Sequence, residues 1–247
     1  GTVVARALLG NESLFEIPLY AWDSAWEMPS HILLGAGAGL VAAAFSNSVY
    51  AVEDLWNAVS IPDYVKAALG GLFMGVVGLS FPQVMGLGYP SIERILQGQE
   101  LWMVLLILLP LKMLATSVTL GSGGSGGIMA PSFFMGAALG GLFGLAAHAA
   151  GPPFAAPVGA YAMVGMCAVV AGTTLAPLQA LVMVVEMTKN YQMILPLALG
   201  CAVSTFISYR IKRQSIYTLK LYRRGIDIEA VRRTSPLDSV KVRGFLG

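Results

Sequence analysis

Apolar residues fall into long runs, at roughly 31–45, 64–81, 101–120, 128–150, 158–187 and 193–209. The first residues, 1–9, read like the end of a further apolar helix that finishes near Gly10. Between the runs lie polar stretches at 11–27, 52–63 and 83–100. Glu53, Asp54 and Asp63 in the second stretch, and Glu93, Arg94 and Glu100 in the third, read as solvated connections. Several runs are shorter than the ~20 residues that an upright membrane helix needs, and Gly or Pro interrupts many of them. The pattern allows simple helices in a thin bundle, or tilted and broken helices whose ends meet inside the protein. Non-helical backbone survives at membrane depth only where protein or a watery cavity covers it. A glycine-rich loop between two strongly apolar runs therefore favours broken helices. Small residues spaced by four, Gly71 with Gly75 and Gly136 with Gly140 and Gly144, read as surfaces for close helix packing.

Composition sets the solvent. Of 247 residues, 56% are hydrophobic and 11% charged, with 29 glycines, and the mean hydropathy is +0.73. A soluble domain carries about 25% charged residues, so lipid is the expected surrounding. Residues 1–209 hold five Lys/Arg and ten Asp/Glu, while residues 210–247 hold ten and three. The balances of −5 and +7 give the net charge of +2. Arg210, Lys212 and Arg213 follow an apolar run directly, which places the C-terminal end on the cytoplasmic side. Tyr217, Leu219, Leu221 and Tyr222 are interleaved with the basic residues and suit an interface better than nucleic acid. Cys167 and Cys201 lie within apolar runs and read as small hydrophobes, with no metal spacing. Glu186 reads as a helix-end partner and His148 takes no role. The chain divides into apolar helices at 1–209, a basic linker at 210–235, and a final stretch from Pro236 to residue 247 that opens like a soluble module.

Candidate chemistry sits at 121–131. Gly121, Gly123, Gly124, Gly126 and Gly127 give a backbone able to approach a ligand closely, and Pro131 suits a first helical turn. The first N–H groups of a helix have no internal acceptors and carry the positive end of its dipole. A helix start of this kind, opened by glycines and buried in a membrane, is an anion site. A phosphate loop would need Gly-Lys-Ser/Thr where Ile128-Met129 stands, and a flexible linker would not join two apolar spans. A structural helix break is the remaining alternative. Lys112, inside an apolar run, either bonds helix-end carbonyls or adds attraction for anions.

Gly126-Gly127-Ile128-Met129-Ala130-Pro131 resembles the GGxFxP signature of CLC chloride channels and transporters. Ala176-Pro177-Leu178, then Glu186-Met187-Thr188-Lys189-Asn190-Tyr191-Gln192 and Ile194-Leu195-Pro196, resemble that family's late helices in the same order. Ser215-Ile216-Tyr217 matches the place of its pore tyrosine. The likeness covers nearly all of residues 1–235, and the tail from Pro236 resembles the start of a CBS domain. The resemblance implies an all-α integral membrane fold of tilted and broken helices, forming one half of an inverted repeat, in a homodimer with one anion path per subunit. It implies that chloride is held by the amides of Ile128 and Met129, beside Gly126 and Gly127, with the Tyr217 hydroxyl. The family's GSGIP serine and GxEGP gating glutamate do not occur here, so the N-terminal half of the same protein is an expected partner. Met129 stands where Phe is usual. A gapless placement on Arg6 and Leu14-Phe15-Glu16-Ile17 puts the proton-coupling glutamate's position at Asn11, with Glu12 next to it. An amide relays no protons, so this placement argues against coupled exchange; a one-residue shift would restore the acid. No cofactor beyond chloride as ligand and no enzymatic step are expected. A transporter of organic solutes, or a structural subunit without flux, are the competing classes.

Overall fold

The structure, a computed structural model, describes residues 10, 14, 15, 17–21, 27–151 and 156–223. Asn11, Glu12 and the whole stretch from 224, including the CBS-like start, lie outside the described residues. Among the described residues the chain is helical without strands: α1 (Met28–Ala58), α2 (Asp63–Ser80), α3 (Tyr89–Leu96), α4 (Trp102–Gly121), α5 (Met129–Ala150), α6 (Val158–Thr174), α7 (Pro177–Thr188), α8 (Ile194–Ile211) and α9 (Thr218–Arg223). Among the described residues four segments are long and apolar enough to cross a membrane: α1, α4, α5 and 191–211.

The centre is α6. Every residue from Gly159 to Thr173 is buried, as expected for a helix that is apolar all round and carries no charge. Its small side chains let neighbours come close. A Cβ at Gly140 of α5 would lie 2.1 Å from the Tyr161 carbonyl oxygen, and one at Gly136 would lie 2.4 Å from that of Gly165. The glycine series on α5 is thus a packing surface. On the other side, Ser204 Oγ donates to the Ala168 carbonyl at 2.6 Å and Ser208 Oγ to that of Gly172 at 2.7 Å. These bonds tie α8 to α6 without a charge. Cys167 and Cys201 are buried at the same contact with Sγ atoms 2.8 Å apart.

Several sequence expectations change. A Cβ at Gly71 or Gly75 would meet nothing within 4 Å, so this pair packs on no other helix among the described residues. The stretch 52–63 is not a loop throughout, because α1 runs on to Ala58. Glu53 and Asp54 stay exposed enough on that last turn to pair with cations. Residues 83–100 contain α3, whose Ile92, Ile95 and Leu96 are fully buried; an amphipathic helix of eight residues, about two turns, is easily hidden among polar neighbours. The run 158–187 is two helices, divided at Leu175, which adopts φ +55°. Pro177 then opens α7, as a proline can only at a helix start.

Candidate functional site

The glycine loop begins where α4 stops. Gly124 N–H donates to the Thr119 carbonyl at 2.9 Å and Gly123 N–H to that of Leu120 at 3.3 Å. Gly123 takes φ +89° between them. This paired arrangement ends a helix with a left-handed residue, for which glycine has no steric cost. Ser125, Gly126 and Gly127 are exposed, and α5 starts at Met129 with Ile128 in the capping place.

No side chain caps this N-terminus. The amides of Ile128, Met129 and Ala130 lack carbonyls a turn earlier to receive them, and Pro131 has no N–H. Ser132, in the first turn, turns its Oγ back to donate to the Ile128 carbonyl at 2.8 Å. The positive end of a 22-residue helix is therefore left open at three donors.

A cavity of about 310 Å³ lies beside it, lined by Gly126, Gly127, Ala130 and Pro131 from this segment and by Lys112 and Thr116 from α4. Lys112 is 3% exposed. Its Nζ donates to the carbonyls of Val84 at 2.7 Å and Gly86 at 2.8 Å, and sits 5.1 Å from the centre of the Phe134 ring. Gly88 completes the same turn at φ +74°, where a Cβ would stand 2.6 Å from that ring. Lys112 thus fastens the turn before α3 to the wall of the cavity, as the carbonyl-bonding reading foresaw. Lys112→Met should lower thermal stability by about 2 kcal/mol, the worth of hydrogen bonds to a charged group. Lys112→Arg should recover most of it. Thermal unfolding alongside halide titration checks this, since weaker halide binding at unchanged stability would favour anion attraction instead.

Tyr217 belongs to a different neighbourhood. Ile216 is buried with Phe45, Val49, Tyr50 and Met135, and Ile128 packs on that cluster. Ile216 N–H donates to Thr173 at the end of α6 at 3.1 Å, and Tyr50 Oη donates to the Ile216 carbonyl. The fold therefore places Ile128 and the residue before Tyr217 at one apolar cluster, although 88 positions of chain (216 minus 128) separate them. Tyr217 itself is 50% exposed. Partial burial pushes its phenol above the ordinary value, so the hydroxyl is a donor at neutral pH. Met129 packs on the main core. Lys112 lines the glycine-loop cavity and not the Tyr217 cluster. Glu186 pairs with Lys189 at 2.6 Å, matching its helix-end reading, and His148 Nε2 lies 3.1 Å from the Ala156 carbonyl oxygen. Among the described residues no cluster of His, Cys, Asp and Glu could hold a metal ion. The anchoring of Ile216 by Thr173 and Tyr50 was not visible in sequence, because neither partner is near it in the chain.

Comparison with known proteins gives a family match. A family model described as voltage gated chloride channel matches residues 1–209. A ClcB-like protein of Ralstonia nicotianae is 34% identical over 226 residues, covering 91% of this chain and 52% of that protein. The H(+)/Cl(-) exchange transporter ClcA of Vibrio parahaemolyticus is 30% identical over 226 residues, covering 90% of this chain and 48% of its own length. The crystal structure of a slow cyanobacterial Cl-/H+ antiporter superposes with a TM-score of 0.79 at 25% identity, covering 90% of this chain and 52% of that one. The chain spans about half the length of these relatives.

Proposed function

The chain belongs to the voltage-gated chloride channel family, and from that premise we propose that it forms part of a pathway for chloride or a similar monovalent anion across a membrane. The observation that carries this reading is the uncapped start of α5, where the amides of Ile128 and Met129 lack a side-chain cap among the described residues and their chain neighbours Gly126, Gly127, Ala130 and Pro131 line a cavity. The anion sheds water and receives these amides in exchange. Neutral donors suit conduction, since a fully charged ligand set would hold the ion too tightly to release it. Tyr217 supplies a hydroxyl from the segment that Ile216 anchors beside Ile128. Gly126 and Gly127 let the backbone approach, and Lys112 adds positive potential from the cavity wall while holding its turn. The remaining wall and the gate come from an N-terminal half of the same protein, which pairs as a homodimer. The basic end lies in the cytoplasm and continues into a CBS-like module. No covalent chemistry is involved.

Coupled proton exchange is the second reading, favoured by relatives named as exchangers. Asn11 and Glu12, the residues that bear on it in this chain, fall outside the described part. Chloride efflux from liposomes holding the full-length protein, with proton movement recorded together, separates the readings. Flux without proton uptake supports a passive path, stoichiometric uptake supports exchange, and organic-solute exchange without halide flux would sink both. Tyr217→Phe should weaken halide binding about fivefold by calorimetry, the loss of one net hydrogen bond of ~1 kcal/mol. Unchanged binding would remove Tyr217 from the site.

A further inference from the structure

A second cavity, of about 390 Å³, lies among the last turns of α1, the end of α8 and α9; its lining includes Asn47, Tyr50, Asp54, Lys212 and Arg223. It shares no lining residue with the glycine-loop cavity. Lys212 is its unusual member. The chain turns extended there as α8 ends, and the side chain runs inward until Nζ is closed off from solvent with no hydrogen-bond partner. Nζ lies 6.0 Å from the centre of the Tyr50 ring. Burial first, and then the charge of Arg223, bring its pKa down to about 8.

The neighbouring carboxylates are already engaged. Both Asp54 oxygens receive the Arg223 guanidinium, at 2.9 and 2.6 Å. Glu53 pairs with Lys220 at 3.0 Å. Among the described residues both carboxylates are thus matched by other cations, and the Lys212 ammonium has no acceptor. A buried ammonium without an acceptor is costly, and buried polar atoms left unsatisfied are rare enough to call for an explanation.

We propose that this cavity binds a phosphate group, toward which the Lys212 ammonium turns to become the principal donor, with Asn47 and Arg223 at its rim. The space exceeds what a bare halide fills, and a phosphate offers several acceptors to the three protons of Lys212. The cavity lies at the ends of two candidate membrane spans, α1 and 191–211, with exposed Arg210 and Arg213 nearby in the chain. That placement puts it at headgroup depth, where basic residues attract acidic phospholipids. A soluble phosphate ester would satisfy the same donors.

The test uses the full-length protein in neutral detergent. Dioctanoyl phosphatidylglycerol, dioctanoyl phosphatidylcholine and inorganic phosphate are titrated separately, with thermal unfolding and calorimetry as readouts. Saturable stabilisation is expected from phosphatidylglycerol or phosphate. The midpoint should rise at least about tenfold in Lys212→Met and stay within about twofold in Lys212→Arg, with halide flux retained in both. Binding of phosphatidylglycerol alone assigns the site to lipid, and equal binding of inorganic phosphate assigns it to a soluble ligand. The proposal is overturned if neither binds, if phosphatidylcholine binds as well as phosphatidylglycerol, or if Lys212→Met binds like the wild type. The lipid comparison on the wild type needs no variant to fold.

Discussion

Replacing the amide between Ile128 and Met129 by an ester, with an α-hydroxy acid at position 129, is expected to weaken halide binding at least about tenfold. The substitution removes one N–H and leaves the shape of the chain unchanged. A hydrogen bond to an ion contributes about 1.5–3 kcal/mol, and ~1.4 kcal/mol is a factor of ten in affinity. Helix stability should barely move, because the Met129 N–H stands at the first position of α5 and has no acceptor within the helix. An ester at Ala137, in the buried middle of the same helix, should do the opposite. It would remove an internal hydrogen bond and reduce stability, with little effect on halide affinity. Calorimetry with chloride and bromide on the full-length protein checks both variants. Equal affinity in wild type and the position-129 ester would take the amide out of the anion site.

Gly140→Ala is expected to be one of the more damaging single methyls among the described residues. The new Cβ would stand 2.1 Å from the Tyr161 carbonyl oxygen and 2.6 Å from the Ala162 Cα, both backbone atoms that cannot rotate aside. Either α5 and α6 separate or α6 shifts against α8 and α1. Overpacking a well-filled core costs about 1–3 kcal/mol, and the rigidity of these neighbours puts this case at about 3. Gly71→Ala is the matched control, since nothing of this chain lies within 4 Å of the added atom. It should be neutral or slightly stabilising, because alanine favours a helix over glycine by up to ~1 kcal/mol. Thermal unfolding of the two variants side by side measures the difference. A Gly140→Ala protein as stable as wild type would contradict the close α5–α6 contact.

The break at 121–131 was legible because glycine and proline state backbone needs locally. Gly123 takes the left-handed turn and Pro131 falls in the first turn of α5, so the open helix start follows from the residue types. The resemblance in motif order carried the family and the fold class. Less was legible where one residue type serves two ends. The glycines at 71 and 75 have the same spacing as those at 136 and 140, yet only the second pair meets another helix. Spacing by four shows that two small residues share a face, and says nothing about what that face meets. Similarly, the polar stretch at 83–100 concealed α3, because eight residues give too few turns for a period to stand out.

The sequence by itself determined the lipid-facing character of the chain, the position of the glycine break and the uncapped donors that follow it. Each depends on residues that lie together in the chain. Only the tertiary structure decided that Lys112 is tied to carbonyls 28 and 26 positions away, and that Ile216 and Ile128 share one apolar cluster. It alone showed that Arg223 meets Asp54 across 169 positions, leaving the Lys212 ammonium without a partner among the described residues. A charge is settled by whatever the fold brings within hydrogen-bond reach, and in this chain those partners come from other helices.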